Sequence, residues 1–201
     1  GSQCLDPESL RTYYENVAQD VIRLTPEKFE LRSLNVGLSL GVAYNAQESS
    51  ISIAEVADAL ALAVGAVTER HPNCQIDLES GRYLVGEAGV FVTRVIDIKE
   101  SRGELFIVCD GGLNCHLAAT GNFGQVIPRN YPLFLSPKRA KRSKMNLVGP
   151  LCTPLDIFGR SVEHGIPQEG DIVCIAQSGA YGASASPQGF ISRKPVTETL
   201  V

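Results

Sequence analysis

The sequence predicts an α+β fold in two parts: alternating helices and strands over residues 1–85, then an all-β barrel or sandwich over residues 86–201. Three observations predict it. Apolar residues recur at helical spacing in two segments of the first part, each followed by a short β-branched run. After residue 85 the helical period vanishes, and β-branched runs are punctuated by Gly and Pro. The length, 201 residues, holds one ordinary domain or two small ones. It is too short for a complete (β/α)8 barrel of about 250 residues.

Asp6-Pro7-Glu8 opens the first helix with a cap, a proline at the first helical position and an acid near the positive end of the dipole. Leu10, Tyr13, Tyr14, Val17, Val21 and Ile22 then form its apolar stripe. Leu31–Val36 reads as a strand that runs into Gly37-Leu38-Ser39-Leu40-Gly41. Ser52-Ile53-Ala54-Glu55 is a capping box for a second helix ending near Arg70. Cys74–Leu78 is a second strand, ending at Glu79-Ser80-Gly81-Arg82. In the second part, strands are expected at 90–98, 105–109, 146–148, 171–176 and 189–192.

The formal net charge of −4 argues against general nucleic-acid binding, which needs a basic footprint. No apolar stretch approaches the ~18 residues of a membrane helix. Gly1-Ser2-Gln3-Cys4 shows neither an initiator Met nor a signal-peptide pattern and reads as a trimmed or internal start. Six cysteines without a CxxC pair read as free thiols in a reducing, cytoplasmic setting. The gap between Cys109 and Cys115 fits no zinc spacing, so no metal site is expected. Lys138, Arg139, Lys141, Arg142 and Lys144 form a basic run between two strands, either a solvated hairpin tip or a docking patch for an acidic partner.

Four loops carry candidate chemistry. Gly37–Gly41 follows a strand, where backbone N–H groups can approach a phosphate. Glu79-Ser80-Gly81-Arg82 places an acid and a base at the same sheet edge, where α/β ligand sites form. Gly149–Asp156 holds a thiol and a carboxylate around two prolines, and Ser178–Gly182 presents a phenol in a glycine-rich turn.

These motifs, in this order, resemble the C-terminal half of the fold-type III pyridoxal-phosphate decarboxylases, the family of diaminopimelate, ornithine and arginine decarboxylases. Gly1-Ser2-Gln3 looks like the end of the family's His-x-Gly-Ser-Gln strand. Residues 35–44 are similar to its triple-glycine phosphate loop, and Glu79-Ser80-Gly81-Arg82 to its Glu-Pro-Gly-Arg motif. Cys152-Thr153-Pro154-Leu155-Asp156 is similar to its Cys-Glu-Ser-x-Asp loop, and Gly179-Ala180-Tyr181 to its Gly-Ala-Tyr motif. The Cys-Thr-Pro-Leu-Asp variant looks most like a subgroup tied to secondary metabolism and polysaccharide or exosortase systems, some of whose members act on carrier-bound substrates.

The resemblance implies that residues 1–85 are the last βα units of a TIM-type barrel and that the cofactor is pyridoxal 5'-phosphate. It implies a cytoplasmic homodimer with shared active sites, acting on a small amino acid or a carrier-bound one. Glu79 would pair with the pyridine nitrogen; Ser2, Gly37, Gly81, Arg82 and Tyr181 would hold the phosphate. Arg82, Arg129 and Asp156 would serve the substrate, with Asp156 helping to shape the substrate end, and Cys152 would be the proton donor. Two departures stand out. The loop reads Gly-Leu-Ser where three glycines are expected, which adds side chains at a close-approach position. None of the six lysines (Lys28, Lys99, Lys138, Lys141, Lys144, Lys194) stands where the family's Schiff-base lysine belongs, upstream of these residues. The 201 residues alone are therefore expected to be inactive. The alternative is a non-catalytic decarboxylase-like binding or regulatory protein.

Overall fold

The computed structural model describes residues 3–45, 47–123 and 127–201. The chain divides into two compact units, Gly1–Ala43 with Gln47–Leu84, and Tyr44–Ala46 with Val85–Val201.

The first unit opens with α1 (Pro7–Leu24), where the Asp6 carboxylate accepts the Ser9 N–H at 2.9 Å. Then come β1 (Ser33–Asn35), α2 (Ile53–Arg70), β2 (Gln75–Asp77) and a short helix, α3 (Gly81–Val85). The capping box at Ser52 is formed as expected, with the Ser52 N–H donating to Glu55 Oε2 at 2.7 Å. β1 and β2 pair in parallel, Leu34 opposite Ile76, so β1–α2–β2 is one βαβ unit. Both helices bury one face. Leu10 and Tyr14 of α1 and Val56 and Ala59 of α2 enclose Leu38, Leu40 and Ile51. One turn further along, Ala18, Val67 and Cys74 form a second cluster. Arg70, the last residue of α2, donates to the carbonyls of Ile22 and Thr25 and so caps the end of α1.

The second unit is a six-stranded mixed sheet. Its strands are β3 (Phe91–Ser101), β4 (Glu104–Cys109), β5 (Leu133–Ser136), β6 (Arg142–Val148), β7 (Ile157–Gly165) and β8 (Ile172–Ile175), in the spatial order β5-β8-β3-β4-β6-β7. β4 and β6 are parallel; every other pair is antiparallel. β3 joins the two halves. Phe91–Arg94 pair with β8, and after an irregularity between Val95 and Asp97 the rest of the strand pairs with β4. The sheet is nearly closed: Asn130, just before β5, donates through Nδ2 to the Arg160 carbonyl of β7 at 2.7 Å and accepts the Arg160 N–H at 2.8 Å. One side-chain amide thus stands in for a strand pair between the two edges. The core comprises Val95, Ile107, Leu147, Phe158, Val173 and Ile175. Tyr44 also belongs to this unit, stacked on Tyr131 at 4.4 Å.

Several expectations need correction. Residues 189–192 are not a strand but a 3₁₀ turn at Phe190–Ser192, because Ile191 and Ser192 take φ of 54° and 56° in the left-handed region. β5 and β7 lacked a readable signal: β5 has four residues between Pro132 and Pro137, and β7 is interrupted by Gly159 and by Ser161 at φ 49°. The gap between the strands expected at 90–98 and 105–109 narrows to Arg102-Gly103. The basic run is not a hairpin tip either. β5 pairs with β8 and β6 with β4 and β7, so residues 137–141 cross between non-adjacent strands. Among the described residues no helix is long and apolar enough to cross a membrane.

Within that crossover Arg139 is committed. Its Nε and Nη2 each lie 2.9 Å from an oxygen of Asp171, which also accepts the Gln168 N–H at 2.8 Å. These bonds, the guanidinium first, hold the Asp171 carboxyl below the usual carboxylate range. A carboxylate with a depressed native pKa stabilises the fold above its unfolded value of ~3.9, and that stabilisation is lost as pH falls through the native value. D171N is expected to lower the urea midpoint at pH 7, with the difference from the parent shrinking as the pH is taken below ~4; a difference that stays constant with pH would contradict this.

Candidate functional site

In the first unit, pairing continues past the ends of β1 and β2. The Val36 N–H donates to the Asp77 carbonyl at 3.1 Å and the Glu79 N–H to the Gly37 carbonyl at 3.2 Å. This sets exposed Glu79 directly beside Gly37. Gly37 has φ +67°, a conformation that favours glycine, and its N–H is taken by Asn35 Oδ1 at 2.8 Å. Tyr13 and Tyr14 of α1 donate their hydroxyls to the carbonyls of Val36 (3.0 Å) and Leu38 (2.7 Å). Leu38 points into the core and is 6% exposed, so its side chain does not cover the open side of the loop. Gln3 completes the edge. Its amide exchanges hydrogen bonds with the backbone of Val42, and its Oε1 also accepts from Arg82 Nη1 at 3.1 Å. A Cβ at Gly81 would meet nothing within 4 Å, which leaves open space next to Glu79. Gly37, Glu79, Gly81 and Arg82 therefore share one edge, while Ser2 lies outside the described residues.

In the second unit, residues 149–156 form the hairpin loop between β6 and β7, closed by Val148 opposite Ile157 and by the Gly149 N–H on the Asp156 carbonyl at 3.0 Å. Cys152 is exposed on this loop. Asp156 turns the other way and is 2% exposed. Its Oδ1 accepts the Leu113 N–H at 2.6 Å and its Oδ2 the Leu151 N–H at 2.9 Å. Burial pushes the Asp156 carboxyl above its ordinary value, against these donors and the Arg193 charge. The glycines around it are a steric requirement: a Cβ at Gly112 or Gly149 would lie 2.2 or 2.3 Å from the carboxylate.

Tyr181 is 40% exposed and its ring lies 4.9 Å from that of Phe123. The adjacent Asn122 donates to the Leu155 carbonyl at 3.1 Å, linking the segment that supports Tyr181 to the Cys152 loop. The Gly179 of this motif is there for packing: a Cβ would lie 1.7 Å from the Val85 carbonyl oxygen. Arg129 is exposed, next to the Asn130 bridge. Sequence reasoning missed Asn122, Phe123, Asn130 and the Leu113 amide. The Gly111-Gly112 pair after β4 was the one local sign of a close backbone approach. His116, which follows Cys115, is a core residue. It is 1% exposed, accepts the Ala119 N–H on Nδ1 and is edge-on to Phe91 and Tyr131, and burial lowers its pKa to about 4.

The chain thus holds a βαβ unit and, as its second unit, a nearly closed mixed sheet with a tethered thiol loop. The profile of the "Pyridoxal-dependent decarboxylase, C-terminal sheet domain" matches residues 14–179, and the chain belongs to that family. It is 36% identical over 173 residues to L-glutamyl-[BtrI acyl-carrier protein] decarboxylase of Niallia circulans, covering 83% of this chain and 40% of the relative. It is 33% identical over 211 residues to diaminopimelate decarboxylase of Methanothermobacter thermautotrophicus, covering 100% of this chain and 46% of the relative. Among solved structures, the diaminopimelate decarboxylase of Helicobacter pylori complexed with L-lysine superposes with a TM-score of 0.78 at 27% identity, over 96% of this chain and 46% of that one. The chain thus spans less than half the length of these relatives.

Replacing the Asp156 carboxylate by an amide leaves one of the two buried N–H groups facing another donor. D156N is expected to cost about 1–3 kcal/mol in urea unfolding at unchanged m-value. G149A is expected to be at least as damaging, since its methyl displaces the same carboxylate; wild-type stability in either variant would refute the anchoring role.

Proposed function

We propose that this chain supplies part of the active site of a pyridoxal-phosphate-dependent amino-acid decarboxylase, with residues 1–85 as the last βα units of a TIM-type barrel. The observation that carries the reading is the backbone pairing that sets exposed Glu79 beside Gly37, with open space at Gly81. The residues fit the cofactor: an exposed carboxylate suits a protonated ring nitrogen, and the uncovered glycine edge leaves room for a phosphate. Pyridoxal phosphate bound there would supply an electron sink for loss of CO2. Glu79 would hold the proton on the ring nitrogen. In the first unit the Gly37, Gly81 and Arg82 backbone and Ser2 would hold the phosphate; in the second, the exposed Tyr181 hydroxyl would donate to a cofactor phosphate. The Arg82 or the Arg129 guanidinium group would bind the substrate carboxylate, to which a planar fork is matched. Cys152 Sγ delivers a proton to the carbon that CO2 leaves, and Asp156 acts from below the loop by fixing its backbone. In a homodimer with shared sites, Cys152 and Asp156 serve the partner's cofactor.

After borohydride reduction and removal of free cofactor, the chain mixed with pyridoxal phosphate is expected to carry no stoichiometric, covalently fixed cofactor absorbance, because no lysine stands at the family's position; one fixed pyridoxyl group per chain would overturn that expectation. In the decarboxylase that joins these residues to the lysine, C152A is expected to lower kcat by about 10²-fold with cofactor affinity unchanged. An unchanged kcat removes the thiol from the mechanism.

The non-catalytic reading has one observation in its favour: the Gly37 N–H is already bonded to Asn35 Oδ1 and is not offered to a phosphate. Retained pyridoxal phosphate binding in the full decarboxylase, lost in E79Q, separates the two.

The Niallia relative acts on a carrier-bound glutamyl group by name, and we extend that substrate class to this chain. Lys138, Lys141 and Lys144 are exposed on the crossover and the start of β6, on a chain of net charge −4, and suit an acidic carrier. Reversing all three to Glu is expected to weaken carrier binding about tenfold or more, most strongly at low salt; unchanged affinity would sink the docking assignment.

A further inference from the structure

The segment after Tyr181 is held back on the Cys152 loop by bonds that no assigned role accounts for. Gln188 closes it into a ring: its Oε1 accepts the Val196 N–H at 3.1 Å while its Nε2 donates to the Ala183 carbonyl at 2.8 Å. Ser186 Oγ accepts the Leu117 N–H at 2.8 Å and donates to the Gly182 carbonyl at 2.7 Å, fastening the ring to the segment that carries Leu113. Inside the ring, Ile191 and Ser192 sit at positive φ, an unfavourable conformation for a β-branched residue that persists only where the surroundings impose it. Their reversal delivers Arg193. Its Nη2 donates to the Pro150 carbonyl at 3.2 Å, two residues before Cys152. The same positive charge acts on the Asp156 carboxylate and on the Cys115 thiol, offsetting part of the effect of burial on each. Its neighbour Lys194 lines the same open cleft of about 450 Å³ with Asp110 and Cys115, with no bond to the loop among those described.

We infer that Arg193 is the positioning residue of the Cys152 loop: from outside, it holds the Pro150 carbonyl, while the buried Asp156 carboxylate holds the same loop from within through Leu151. The inference builds on the proton-donor reading of Cys152, since a loop whose thiol must reach a reacting carbon needs a fixed backbone. The two holds are complementary: Arg193 takes the Pro150 carbonyl, an acceptor that the Asp156 carboxylate cannot bind, while Asp156 takes the Leu151 N–H.

The test compares R193A, R193K and K194A in the chain itself, without cofactor. Amide exchange at Leu113 and Leu151, and the rate at which iodoacetamide alkylates Cys152, are read by peptide mass spectrometry. R193A is expected to speed exchange at both amides about tenfold and to change the alkylation rate, at nearly unchanged thermal midpoint. R193K, which keeps the charge and one donor, is expected to recover most of the loss. K194A is expected to behave as the parent. Exchange and alkylation in R193A equal to the parent would overturn the inference, as would an equal effect of K194A. In the full decarboxylase R193A should then lower kcat with KM within about twofold. If C152A leaves kcat untouched while R193A frees the two amides, the proton-donor reading falls and the positioning geometry stands; the reverse pattern removes Arg193 and leaves Cys152 in place.

Discussion

Much of the second unit hangs on one buried carboxylate. Asp156 is fixed at the base of the β6–β7 loop and takes backbone N–H groups from two separate segments, Leu113 after β4 and Leu151 in its own loop. A backbone amide buried without a partner is costly, so both segments are committed to their conformations once the carboxylate is in place. The surroundings are built to admit it. Gly112 and Gly149 have no side chain because the carboxylate occupies the space one would need. Cys152 faces outward because Asp156 faces inward. The exposed thiol and the buried acid are two ends of one construction.

The two βαβ strands work on a comparable plan with different means. The β1–β2 pair is only three residues long on each strand, too short to hold a site by itself. The tyrosines of α1 extend its reach by donating to the Val36 and Leu38 carbonyls beyond the strand end. Leu38 gains buried contacts with Leu10, Tyr14 and Val56 in return. Substitution of a glycine by leucine in a phosphate-type loop looked like an obstruction from sequence, because the direction of the side chain is not written there. The direction follows from the positive φ at Gly37 and Ser39, which turns the intervening residue inward.

What the sequence disclosed and what it withheld divide along the range of the interactions. Helix caps, the βαβ alternation and the long β-branched strands depend on neighbours within four residues, and Asp6, Ser52 and Glu55 announced them. β5 depends on β8, some forty residues away, and its four residues between prolines carry no periodicity to read. The closing contact of the sheet is made by the side chain of Asn130 rather than by a strand, so no strand pattern could point to it. The candidate site was legible as a set of motifs, because Glu79, Cys152, Asp156 and Tyr181 each stand in short loops rich in glycine or proline. Their supports, Asn122, Phe123, Leu113 and Arg193, are single residues scattered along the chain. Nothing local marks them.

Charge shows the same separation between composition and role. Five cations within residues 138–144 look like one patch in sequence, but their ion pairs sort them. Arg139 is spent internally on Asp171, where a two-point bond pins the crossover to the start of β8. Arg142 faces Glu163 across the β6–β7 pair, at 4.0 Å and in solvent, where an ion pair contributes little. Only the three lysines keep their charge directed outward with no acid bonded to them among the described ion pairs. A binding surface there is therefore smaller than the run suggests, and better defined: the arginine that resembles its centre is the part that holds the backbone still, and the lysines around it are the part a partner would meet.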